Sequence, residues 1–425
     1  MAQKQKLPAE LYDKVNYLCR RYMDRVARFY LCYDFVPDVK ALQTAILALY
    51  EKAPVFHSLY KNHPLKPCWL VTDFNIDDVL TVIKAEDLQA AAVEFLEQPV
   101  AIDDPSQMKI ALVHDCAKSI LVFRWNHMLM DGGGYKQFAA DLCNAYNDCV
   151  KGKIPTRFCS GTRSYEAVYK DMPAEMKKKA KQQVAGATVK EKRTLPFTKK
   201  DGTEQTHIVF HSVDADVMQN AIAVAKQNGA TVNDLMAAAY IAAVYAVTGN
   251  ADKPLHLSCA VDLRRYMKDT KEIGYTNHTT FMYCSVPSLG ETPLDTLRFA
   301  AQSNRKNKQD PFLGLHGIPL LHFAYSSMIH LQAEAVVRLF YNNANLALSN
   351  VGAVEKYGFD LDGHPVTDAL VAGGAKEKPC AAATALTCNG KLTISVCTNG
   401  NERDVTMLCR FFAEFEHFMR SIAPN

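Results

Sequence analysis

The stretch that most constrains this chain is Ser119 to Gly134, where an apolar run enters three consecutive glycines. Ser119 to Trp125 (SILVFRW) is almost continuously apolar and reads as a strand. Gly132, Gly133 and Gly134 follow Asp131, so Asn126 to Gly134 reads as a loop. Tyr135 to Val150 then sets Phe138, Leu142 and Tyr146 on one face of an amphipathic helix. Strand, glycine-rich turn and helix in that order belong to a layered α/β chain.

His127 leaves the strand into that turn. A histidine placed there is held by a rigid element yet can face a cleft. An ordinary imidazole titrates near pH 6.5, so it can take a proton near neutrality. Asp131, four residues on, is placed to bond backbone groups or a cation and so fix the loop. Glycines permit positive φ or close approach of backbone and ligand. From this pattern alone the alternative, a satisfied histidine in a hairpin-like turn, stays open.

The rest of the chain repeats a mixed grammar. Phe29 to Phe35 reads as a strand, and Asp38 opens a helix through Leu42, Ile46 and Leu49. Val55 to Tyr60 reads as extended, Leu88 to Leu96 as a helix, and Met108 to His114 as a strand. Between Met176 and Lys200 stand nine Lys or Arg and one acid, Glu191, which reads as a solvated basic crossover. Beyond it, His207 to Val213 alternates as a strand and Asp216 to Asn228 is helical. Thr231 to Asp234 resembles a capping box opening a helix to Val247. Leu255 to Val261, Leu346 to Ser349 and Lys391 to Cys397 are further strands. The last helix, Asp404 to Ile422, turns Leu408, Phe411, Phe415 and Phe418 inward. The division expected is an N-terminal subdomain over 1–160, a crossover over 161–205 and a C-terminal subdomain over 206–425.

Composition narrows the function classes. Against 48 Lys and Arg stand 45 Asp and Glu, a net charge of +3 that carries no footprint of a dedicated nucleic-acid binder. The longest apolar stretch, Leu235 to Val247, is shorter than the roughly 20 residues a bilayer span needs, so no transmembrane segment is expected. Thirteen scattered cysteines, with no C-x-x-C, read as reduced thiols in a cytoplasmic protein. His207 and His211 have zinc-motif spacing but lie on an alternating strand without the neighbouring glutamate. His316, His322 and His330 are too loosely spaced to bind, so no metal is expected.

His127-Met-Leu-Met-Asp131-Gly132 resembles the H-x-x-x-D-G motif of the chloramphenicol acetyltransferase-like superfamily. That superfamily includes condensation domains, BAHD acyltransferases, wax ester synthases and alcohol acetyltransferases. Other stretches resemble it in the right order: Phe35 to Leu42 with Ala53 to Ser58, Gln98 to Ile102 with Met108 to Val113, and Gly229 to Leu235. Val261 to Arg264 and Leu348 to Gly352 continue the series. Two departures stand out. Asn126 precedes His127 where condensation domains usually carry a second histidine, and the BAHD DFGWG signature is not found.

The resemblance implies an α/β fold of two chloramphenicol acetyltransferase-like subdomains, each a mixed sheet covered by helices, arranged as a V-shaped pseudo-dimer with a channel between them. It implies an O- or N-acyltransferase in which His127 takes a proton from a hydroxyl or amine that attacks an acyl thioester. Asp131 would pair with Arg264 to hold the loop, and Gly132 completes the motif. Ser349 and Asn350 are candidate substrate-binding groups, for the oxyanion or for strand-end capping, while Asn277 and His278 stay unassigned. The donor would be acyl-CoA or an acyl carrier protein and the acceptor a small molecule or lipid, with no metal or redox cofactor. Two other readings stay open, a stand-alone amide-forming condensation enzyme and a non-catalytic binding module.

Overall fold

The computed structural model describes residues 5–423 except 65, 160, 187–188, 190–191, 270–272 and 341–344. The N-terminal half comprises β1 (Lys6–Pro8), α1 (Leu11–Leu18), β2 (Val26–Tyr33), α2 (Val39–Lys52), β3 (Ser58–Lys61), β4 (Cys68–Val71), β5 (Leu80–Lys84), α3 (Leu88–Glu97), β6 (Met108–His114), β7 (Ser119–Asn126) and α4 (Gly132–Val150). After α5 (Ala174–Lys181) come β8 (Gln205–Val213), α6 (Ala215–Gln227), α7 (Val232–Thr248), β9 (Leu255–Asp262), β10 (Thr279–Val286) and α8 (Pro293–Lys308). The chain closes through α9 (Ile318–Ser327), α10 (His330–Phe340), β11 (Leu346–Ala353), β12 (Asp368–Ala372), β13 (Ala381–Cys388), β14 (Lys391–Gly400) and α11 (Glu402–Ser421).

Local chemistry sets these elements. Asp38 caps α2 by accepting from Ala41 N, and Thr231 with Asp234 forms the expected capping box of α7. Every residue of β7 is buried, as its continuous apolar run requires. On α11, Leu408, Phe411, Phe415 and Phe418 are all buried, one stripe against the sheet. Two expectations shift. The strand read at Phe29–Phe35 is Val26–Tyr33, because pairing with β7 rather than aromatic content sets its ends. The segment read as extended from Val55 begins as a short 3₁₀ turn, Pro54–His57, with proline at its first position.

Two mixed sheets covered by helices result, joined through one strand. The first has the order β12-β2-β7-β6-β5, with β5 and β6 parallel and the other neighbours antiparallel. The second has the order β10-β9-β11-β13-β14-β8, with β11 parallel to both β9 and β13. A three-stranded sheet, β1-β4-β3, lies beside them. The strand β12 comes from the C-terminal half yet pairs with β2, Leu370 opposite Tyr30. Its Val371 carbonyl accepts from Ser395 Oγ at 2.5 Å and Thr384 Oγ1 at 3.2 Å, both in the second sheet. At its far end Arg28 Nη1 donates to Gly373 O at 3.1 Å.

The crossover is only partly the solvated link its lysines suggest. Lys178, Lys179 and Lys181 of α5 are exposed. Tyr165, Val168, Tyr169 and Ala180 are buried with Leu11, Leu263, Leu315 and Ile318. Six of the thirteen cysteines are buried and none forms a disulfide. Burial pushes the Cys143 and Cys397 thiols up to about 12, which leaves them unreactive.

Candidate active site

His127 stands just past β7, and its backbone N–H donates to Arg25 O at 2.5 Å, ahead of β2. The residue is half-buried. Its Nδ1 is enclosed without a hydrogen-bond partner, which leaves Nε2 as the nitrogen outside that enclosure. The three residues that follow are fully buried.

The carbonyls of this turn are held one after another. Asn277 Nδ2 donates to His127 O at 2.9 Å and to Met128 O at 3.2 Å. Arg163 Nη1 donates to Leu129 O at 2.7 Å and Tyr275 O at 2.5 Å. Trp125 Nε1 donates to Met130 O at 3.0 Å, and its ring stacks on Tyr135 at 4.5 Å. The other face of Arg163 meets Asp13 at 2.7 Å, and Asp13 also accepts from Trp69 Nε1 at 2.8 Å. Buried carbonyls need such partners, and here β7, the crossover and the segment before β10 supply them, with Asp13 of α1 holding Arg163 in place.

Asp131 anchors the end of the turn. Its Oδ1 caps α4 through Gly134 N at 2.9 Å. The expected pair with Arg264 is present and two-pronged, Nη2 to Oδ1 at 3.0 Å and Nη1 to Oδ2 at 3.1 Å. Oδ2 also accepts from His278 N and Thr279 Oγ1, both at 2.7 Å. Burial by itself would raise this carboxyl. Arg264, Gly134 N–H and the Thr279 hydroxyl outweigh it and hold Asp131 well below the usual carboxylate range. Asp131 is therefore a fixed anion, committed to structure on every lone pair.

The three glycines do not form a loop, as the sequence suggested, but the first turn of α4. None of them adopts a positive φ. Their smallness serves close approach. A Cβ on Gly133 would sit 2.4 Å from Arg264 Nη1, and one on Gly134 would sit 2.8 Å from Thr276 O. Gly132 faces Val351 of β11, to which a Cβ would lie 3.7 Å away. The N-terminus of α4 thus touches the second sheet.

Ser349 and Asn350 lie on β11. Ser349 is half-buried opposite Thr384 of β13. Asn350 is exposed, with both amide atoms engaged: Nδ2 on Asn233 Oδ1 at 2.7 Å, and Oδ1 accepting Gly352 N at 2.9 Å across a bulge. Lys136 Nζ of α4 donates to Val351 O at 3.3 Å and Tyr357 Oη at 3.1 Å. Beside these residues a cleft of about 340 Å³ is lined by Gly133, Lys136, Asp262, Arg264, Lys356 and Tyr357.

Sequence reading left Asn277 and His278 unassigned and missed Asp13 and Arg163. His278 is fully buried, with neither ring nitrogen hydrogen-bonded. Burial first, then the Arg264 charge, lowers its pKa to about 4, so the ring is neutral. Among the described residues no group of three His, Cys, Asp or Glu could hold a metal ion. His207 and His211 lie on β8, where His211 sits 2.5 Å from Glu416. No single helix among the described residues is long and apolar enough to cross a membrane.

The architecture is that of the chloramphenicol acetyltransferase-like fold. Residues 275–418 match the family model of the WS/DGAT C-terminal domain. Over the whole chain the structure is similar to trichothecene 15-O-acetyltransferase from Fusarium sporotrichioides, at 15% identity and a TM-score of 0.69, covering 98% of this chain and 96% of that one. It is similar to the starter condensation domain of rhizomide synthetase in complex with C8-CoA, at 14% identity and a TM-score of 0.66, covering 100% and 98%. The first condensation domain of the calcium-dependent antibiotic synthetase aligns at 12% identity and a TM-score of 0.69, covering 99% and 98%. No curated protein matches the chain in sequence.

Proposed function

We propose that the chain transfers an acyl group from a thioester donor to a hydroxyl or amine acceptor, with His127 as general base. The observation that carries this reading is the way His127 is held. Its backbone is fixed on both sides, by Arg25 O and Asn277 Nδ2, while among the described residues its Nε2 has no hydrogen-bond partner. Nε2 would take the proton of the attacking hydroxyl or amine as the carbonyl carbon becomes tetrahedral. It would then return that proton to the departing thiolate. Asp131 takes no part in proton transfer, because its acceptor capacity is filled by structural donors. The half-buried Ser349 hydroxyl is our candidate donor to the oxyanion.

The cleft beside α4 suits the donor. Arg264 on its walls is already paired with Asp131 and Asp262, which leaves Lys136 and Lys356 as its cations. Phosphate groups of acyl-CoA or of a carrier-borne phosphopantetheine arm would be attracted there. The chemistry calls for no metal or redox cofactor, and thirteen cysteines without a disulfide suit a reducing, cytoplasmic setting.

The test is release of free CoA from a series of acyl-CoAs with a panel of alcohols and amines. His127→Ala is expected to lower turnover by about 10²- to 10⁴-fold while the thermal midpoint stays put. A variant that keeps full turnover would reject the base. A wild-type chain inert toward every donor would reject acyl transfer.

A further inference from the structure

The helix α9 (IPLLHFAYSS) is apolar on two opposite sides, and the protein covers only one. Ile318, Leu321 and Tyr325 pack inward with Met176 and Ala180 of α5 and with Leu263 and Leu315. On the opposite side Leu320 and Phe323 are 54% and 66% exposed. A second apolar stripe on a helix that already buries one is normally covered too, by protein or by lipid.

The uncovered surface extends beyond α9. Ile329, before α10, is 38% exposed and Leu331, in its first turn, 72%. Val184, just after α5, is 51% exposed, and the adjoining Gln183 carbonyl accepts Gly317 N at 2.7 Å at the start of α9. Of ten exposed large apolar side chains among the described residues, five therefore lie around α9, not scattered singly.

Charge decides what this face meets. Between Pro311 and Phe340 the only acid is Glu334. It is turned inward, paired with Arg20 and Arg21 at 3.1 Å each. The flanking α5 presents exposed Lys178 and Lys179, while its Lys181 pairs with Glu166 at 2.9 Å. An apolar ridge with no exposed carboxylate between Pro311 and Phe340, bordered by a helix whose lysines outnumber its one acid, Glu175, matches an anionic lipid surface, into which apolar side chains insert while lysines meet headgroups.

We propose that the α5–α9–α10 face is an interfacial docking surface for anionic membranes, lying on the bilayer and not crossing it. The proposal rests on this face alone and is independent of the catalytic reading. The inner sides of α9 and α10 pack on Leu11 and Leu18 of α1. The same α1 carries Asp13, the partner of Arg163, so the docked face and the His127 turn are supported by one element.

The test is flotation of the full chain with vesicles of phosphatidylcholine alone and with added phosphatidylglycerol. The chain should float with the anionic vesicles, and added salt should release it. Leu320→Ser with Phe323→Ser, and separately Lys178→Glu with Lys179→Glu, should each cut the bound fraction by about tenfold with an unchanged circular dichroism spectrum. The docking surface is overturned if the wild-type chain stays unbound, or if both variants float as it does. It is overturned equally by a wild-type dimer in light scattering that the apolar variant dissociates, since a second copy would then cover the ridge.

Discussion

Asp131 and Arg264 show what a single side chain must do at this seam. The carboxylate is buried and its charge is balanced by one guanidinium. Removing that partner leaves an unpaired buried anion, a loss of about 3–5 kcal/mol for a pair of this kind. Arg264→Ala should therefore unfold at markedly lower urea, with Arg264→Lys recovering only part of the difference because an ammonium cannot reach both oxygens. Equilibrium unfolding followed by fluorescence measures both. His278 gives a pH dependence of definite sign. Its folded pKa of about 4 lies below the ordinary 6.5, so the unfolded chain binds the proton first. The stability from a neutral buried ring is complete above pH 6.5 and lost as pH falls toward 4, at most about 3 kcal/mol. Asp131 stays ionised throughout that window and does not contribute to the slope. Unfolding of His278→Gln between pH 4 and 7 should lack that share of the decline. The Asp131–Arg264 pair was legible because both residues belong to recognisable motifs. Arg163 was not, because in sequence it is one cation near a run of lysines, and only folding sets it against Asp13.

At the scale of the element, α4 and the turn before it form one rigid unit. The glycine run was visible in sequence, and its role was not. Three glycines suggest a loop, yet here they begin a helix whose first turn is pressed against Arg264 and the Thr276 carbonyl. Backbone crowding from a distant segment leaves no local trace. Gly134→Ala is the discriminating change. Its Cβ would sit 2.7 Å from Met130 Cβ and 2.8 Å from Thr276 O, neither a flexible tip. A cost of about 1–3 kcal/mol is expected from overpacking, read as a lower thermal midpoint. Gly132→Ala, with its nearest contact at 3.7 Å, should fold almost as the wild type. The helices were the most legible elements, because α7 carries a capping box before a long apolar run and α11 a cap with an apolar stripe. The strand β12 was unread. Its five residues, Asp368–Ala372, make too short an apolar run to signal a strand, and its partner β2 is more than three hundred residues away in sequence.

For the whole molecule, β12 makes the two halves one folding unit. Without it, β2 exposes a bare edge in the first sheet, and unpaired edges aggregate. Residues 1–205 expressed alone should therefore be insoluble or lack a cooperative transition, and co-expression with 206–425 should restore both. Size-exclusion chromatography and thermal melts read the outcome. A soluble, cooperatively melting first half would show that the edge is dispensable.

The same shared strand limits how the molecule can breathe. The second sheet holds β12 through hydroxyls on its Val371 carbonyl, while the first holds it along a full ladder to β2. Scissor-like parting of the lobes would have to tear one of these attachments. The spacing of the two sheets is therefore set by backbone pairing and carbonyl contacts, with no free hinge at that strand.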